Sequence, residues 1–97
     1  MIFRPVAAIA ALSFVAACAI PPQGVTQEDV ANFDIAVASI GCDLVSESDY
    51  LPVEFQTGLT REQVIQTAQY RVSTEDAVAL EGGGVRLVTG ACAPDAT

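Results

Sequence analysis

Apolar positions along this chain fall into three successive patterns. Val6 to Ala17 is a nearly unbroken apolar run, interrupted only by Ser13. Between residues 25 and 72 the apolar residues recur at helical spacing, and from residue 77 onward they form short β-type runs. Val30, Phe33, Val37 and Ile40 are three, four and three apart, which predicts one apolar helix face. Thr26 can cap that helix, Asp29 sits at its third position, and Val25 with Val30 forms a hydrophobic staple. Gly41 stops it. A second, shorter helix is expected over 46–57, with capping oxygens on Ser46, Ser48 and Asp49. In this reading Pro52 lies in its first turn, Leu51 and Phe55 point inward, and Gly58 ends it. The third helix, 61–72, repeats the grammar of the first. Thr60 caps it, Gln63 is the box partner, Leu59 and Val64 staple it, and Ile65, Ala68 and Val72 continue the face. Ala77–Leu80 and Val85–Val88 then flank Glu81-Gly82-Gly83-Gly84 as the two strands of a hairpin. The expected fold is therefore a small α+β domain of three helices followed by a two-stranded β-hairpin.

The N-terminal run has the layout of an export signal. Arg4 supplies the positive end, the apolar stretch follows, and Val15-Ala16-Ala17-Cys18 closes it. The run is short and Ala-rich for a membrane span, which needs about 20 strongly apolar residues. The tetrad resembles the lipobox of bacterial lipoproteins: aliphatic, small, small, cysteine. The resemblance implies a signal peptide over 1–17, cut before Cys18, and acylation of Cys18, which becomes the lipidated first residue. In that family Asp in second position favours the inner membrane. Ala19 stands here instead and points to the periplasmic face of the outer membrane. Two other readings of the same residues stay open. Ala17-Cys18-Ala19 also fits an ordinary small-x-small cleavage site, which would release a soluble periplasmic protein. The segment could also be retained as an inner-membrane anchor. Residues 18–25, with Pro21-Pro22-Gln23-Gly24, read as a short linker offering little to bury. The globular domain is then 26–93, and 94–97 are a fraying tail.

Subtracting the signal changes the composition. Seventeen of the first 20 residues are apolar, whereas the remaining 77 contain 33, an ordinary share for a soluble domain. With Arg4 removed, three arginines face all twelve acids, a net charge of −9. Such a surface repels nucleic acid and anionic lipid heads. With Cys18 acylated, as the resemblance implies, Cys42 and Cys92 are the remaining pair. An oxidising compartment favours a disulfide between them. It would close a loop of roughly 50 residues and contribute about 4 kcal/mol in the chain-entropy account.

The order of three helices and a hairpin resembles a winged-helix unit. The resemblance implies a recognition-helix place for residues 61–72 and a wing tip at Glu81–Gly84. A DNA-reading version needs basic residues there. Glu62 and Glu81 oppose this, as does export, so no nucleic acid is expected.

Chemistry is thinly supplied. The chain has no His and no Lys, which removes the usual serine triad and any Schiff-base or Ser-Lys site. The triple glycine lacks the Lys-Ser/Thr of a phosphate loop. Asp43, Glu47 and Asp49 lack the spacing of a calcium loop and read as helix-start acids. A carboxylate pair such as Glu54 with Asp49 could in principle do acid–base work, but about 70 residues leave little room for a cleft. No cofactor and no metal site are expected. Tyr50, Phe55, Tyr70 and Arg71 are of the residue types that dominate interface hot spots, although Phe55 is equally expected in the core and each Tyr half-buried. The expected function is a non-enzymatic, membrane-tethered accessory or structural module that meets an envelope protein. The alternative is a periplasmic domain that binds a small ligand or a divalent cation.

Overall fold

The computed structural model describes residues 20–94. The signal segment, Cys18 and the last three tail residues lie outside them. Helix α1 is Gln27–Ser39, strand β1 Asp43–Leu44, helix α2 Glu47–Thr57 and helix α3 Arg61–Ser73. Strands β2 (Ala77–Ala79) and β3 (Val85–Leu87) follow, and a 3-10 turn over Gly90–Cys92 closes the described chain. The class is α+β, with winged-helix-like element order. The sheet has three strands rather than the two of a simple hairpin. It runs β1-β3-β2 and is antiparallel throughout, with Asp43 and Val78 both opposite Arg86.

Reciprocal capping sets two helix starts. The Thr26 N–H donates to Asp29 Oδ2 at 2.9 Å, and the Asp29 N–H donates to Thr26 Oγ1 at 3.0 Å. Thr60 and Gln63 repeat the exchange, both bonds at 3.1 Å. Each pair satisfies two donors that a helix start would leave open. Both staples are buried: Val25 with Val30, and Leu59 with Val64. At the start of α2 the Asp49 carboxylate accepts the N–H groups of Val45 and Ser46, at 2.9 and 3.1 Å.

Two helix ends share one device. After α1, the Gly41 N–H reaches the Ala38 carbonyl and the Cys42 N–H reaches that of Val37. After α3, the Glu75 N–H reaches the Val72 carbonyl and the Asp76 N–H that of Arg71. Both are Schellman motifs, and both turn the chain directly toward a strand. Glycine fills the left-handed position after α1, whereas Glu75 fills it after α3 at φ 68°. Cys42, one residue past Gly41, is also left-handed at φ 78°. Non-glycine residues seldom adopt this region. The Cys42–Cys92 disulfide joins that turn to the C-terminal 3-10 turn, with Cα atoms 5.8 Å apart.

Phe33, Ala36, Val37, Leu44, Val53, Val64, Ala68, Ala77 and Leu87 form one buried core with the staples. It lies between the three helices and the inner face of the sheet. At the hairpin, a Cβ on Gly84 would come within 2.7 Å of the Leu44 carbonyl oxygen, so glycine lets β3 leave the turn alongside β1.

Helix α2 departs from expectation. Ser46 lies just before it, so Pro52 falls in the second turn and not the first. Its buried residue is Val53, flanked on the same side by the half-buried Tyr50 and Thr57. Leu51 and Phe55, expected inside, are on the outside. Size misled the reading: the smaller Val53 has the right helical phase to meet α1 and the core, and the larger pair does not. The linker also differs from a plain spacer. Pro21 and Pro22 are partly buried, the Val25 N–H bonds the Pro22 carbonyl at 3.0 Å, and Gly24 lies against Gln63.

Candidate functional site

The three arginines of the described residues define three clusters, and each arginine is clasped by carboxylates. Arg61, at the start of α3, makes two parallel bonds of 2.9 Å to the Glu47 carboxylate and a third bond to Glu54. Its guanidinium also lies 4.9 Å from the centre of the Tyr50 ring. The two acids raise the Arg61 pKa, and Arg61 holds Glu47 below its ordinary value. Arg71, near the end of α3, bonds both Asp34 oxygens, and Asp76 as well at 3.0 Å. Thr74 donates to the same Asp76 oxygen at 2.7 Å. Burial pushes the Asp34 carboxyl up despite the opposing pull of Arg71. Arg86 on β3 grips Asp43 on β1 at 2.7 and 3.0 Å, lowering the Asp43 pKa and raising its own.

The residues singled out for binding do not converge. Tyr50 belongs to the Arg61 cluster and is half-buried against the core. Tyr70 is likewise half-buried against the core. Arg71 is only 15% exposed at its side chain and is spent on Asp34 of α1 and on Asp76 just before β2. Arg61 and Arg71 are ten positions apart, about 15 Å along a helix. Asp43, Glu47 and Asp49 are also dispersed: the first two go to separate arginines, and Asp49 to backbone N–H groups that lower its pKa. Glu54 is taken by Arg61, so it forms no pair with Asp49. Among the described residues no three acids or cysteines gather as metal ligands, and no pocket opens. No helix there is long and apolar enough to cross a membrane.

Phe55 is among the binding candidates of the sequence, but its place beside Leu51 on the outer side of α2, where both were expected inside, is what sequence reasoning missed. Phe55 is 89% exposed and Leu51 53% exposed. They are four positions apart and therefore stand together on one helix face. Gln56 Nε2 donates to Ser39 Oγ at 3.2 Å, tying α2 to α1. Ile35, one turn before Ser39, is 65% exposed. The spacing of Leu51 and Phe55 was visible in the sequence, but their phase was not. It depends on which side of α2 Val53 holds toward the core. Comparison with protein-family models, with curated proteins and with solved structures found no match to this chain.

Proposed function

We propose that this protein is a lipid-tethered, non-enzymatic interaction module of the bacterial envelope, acting as an accessory or structural subunit. The exposure of Phe55 beside Leu51 on one row of α2 carries the reading. The groups capable of chemistry support it from the other side: the arginines and their acids are turned on one another. Aromatic side chains held in the open on a rigid helix are typical interface anchors. In this reading Cys18 carries the acyl chains that hold the module at the periplasmic face of the outer membrane. Two or more chains make such an anchor stable. Ile20 follows Cys18 by two residues, a reach of about 7 Å. The Pro22–Val25 turn and the Gly24 contact with Gln63 then hold the domain near the bilayer with little slack.

A photo-crosslinking amino acid placed at position 55 of the full-length chain tests the reading in the native membrane. A discrete crosslinked species is expected from position 55 and not from position 81 at the wing tip. Monomer alone from both positions overturns it. Cys18→Ala tests the tether: unprocessed, unacylated precursor is expected, and an unchanged acylated mass rejects the anchor.

A further inference from the structure

We infer that the outer row of α2 docks a basic, apolar segment of a second protein, and neither a bilayer nor another copy of this chain. The inference rests on the interaction-module reading and adds the chemistry of the partner. Leu51 and Phe55 form its apolar strip, and nothing in the fold uses them, since Val53 already supplies the inward contact of α2. Charge then selects the occupant. Helix α2 carries Glu47, Asp49 and Glu54 and no cation of its own. Asp49 is spent on capping the helix start, and Arg61 is the one cation bonded to Glu47 and Glu54, a single positive charge against two carboxylates. The rim of the strip therefore stays negative. Arg71 and Arg86 are held by Asp34, Asp76 and Asp43, so no described arginine is left to meet a phosphate headgroup. An anionic bilayer is repelled. A second copy docking through the same patch would place two sets of α2 carboxylates face to face, as a two-fold contact requires. A partner that offers an apolar recess edged by Lys or Arg meets both demands. The strip is the size of a hot spot, so the partner's basic edge sets orientation and encounter rate around it.

The test uses residues 18–97 with Cys18→Ser, so that no acyl chain is present. Two probe peptides are titrated while backbone amide shifts are recorded: an amphipathic helix of leucine and lysine, and its leucine and glutamate counterpart. The lysine peptide is expected to shift the amides around Leu51 and Phe55 and to lose affinity as salt rises. Phe55→Ser or Leu51→Ser should weaken it at least tenfold. Both side chains are exposed, and an unchanged melting temperature confirms that folding is intact. The inference is overturned by equal binding of the two peptides, by undiminished binding to Phe55→Ser, or by shifts centred on Glu28, Glu62, Glu75 or Glu81. It is equally overturned if Phe55 drives self-association on a concentration series, or flotation with vesicles containing phosphatidylglycerol. Crosslinks from position 55 in membranes with no binding of the lysine peptide reject this partner chemistry and leave the module reading standing. Peptide binding without any crosslink in membranes rejects the module reading itself.

Discussion

Arg71 bonds both carboxylate oxygens of Asp34, a residue 37 positions earlier in the chain. The pair joins the last turn of α3 to the middle of α1, and Asp76 extends it to the approach of β2. Arg71→Ala leaves two partly buried carboxylates without a cation, and removing one partner of such a pair is costly. A loss of about 2–3 kcal/mol is expected in urea unfolding. Arg71→Lys keeps the charge but not the parallel geometry, and should recover only part of it.

Acid should act on this fold with two opposite signs. Asp43, Glu47 and Asp49 are held below their ordinary values, 3.8 for Asp and 4.5 for Glu. Their contribution is present above those values and is lost as pH falls through their lower folded ones. Asp34 is raised by burial, so its ionisation costs stability as pH climbs from 3.8 through its folded value. Melting temperature should therefore hold level or rise slightly as pH drops from neutral, and then fall steeply below 3.8. Asp34→Asn should remove the mild rise, and Glu47→Gln should make the acid fall shallower. A profile that declines steadily from pH 7 would contradict the assignment of Asp34.

Loss of the Cys42–Cys92 bridge should lower stability by about 4 kcal/mol, since it closes a separation of 50 residues. The left-handed backbone of Cys42 adds a finer expectation. In a background without the bridge, Cys42→Gly paired with Cys92→Ala should be more stable than Cys42→Ala paired with Cys92→Ala. The gap should be about 1 kcal/mol, because a β-carbon is strained in that region. Thermal melts of the two double variants measure it.

Thr67 is fully buried on α3, and its hydroxyl has no partner. Thr67→Val keeps the shape and removes the unsatisfied group, and should raise stability by about 1 kcal/mol. Thr67→Ser keeps the hydroxyl and drops the methyl, and should lower it by a similar amount. Equal melting temperatures for the two variants would show that the hydroxyl finds a partner in solution.

Local grammar made much of this fold legible. Thr26 with Asp29 and Thr60 with Gln63 announced two helices because each box closes within four residues. The Ala77–Leu80 and Val85–Val88 runs announced the hairpin in the same way. Strand β1 was not legible: two residues carry no period, and their partners lie more than 40 positions away. The phase of α2 failed for a related reason, since it is set by Val53 packing against α1 and the core, which are distant in sequence. Residue type alone marks Tyr50, Phe55, Tyr70 and Arg71 as binding candidates and says nothing of their placement. Tyr50 lies on α2 under Arg61, Tyr70 lies near the far end of α3, and ion pairs absorb Arg71 altogether.

The two Schellman turns have a consequence for how the molecule can associate. Each hands a helix directly to a strand, β1 after α1 and β2 after α3, and both strands pair with β3 from opposite sides. The strand with the better-defined ladder is thus enclosed. The two borders left over are only two and three residues long. So short a border gives an incoming strand almost nothing to zip onto, which protects the protein against edge-to-edge polymerisation. Under the interaction-module proposal, recognition would then rest on side chains and not on backbone pairing.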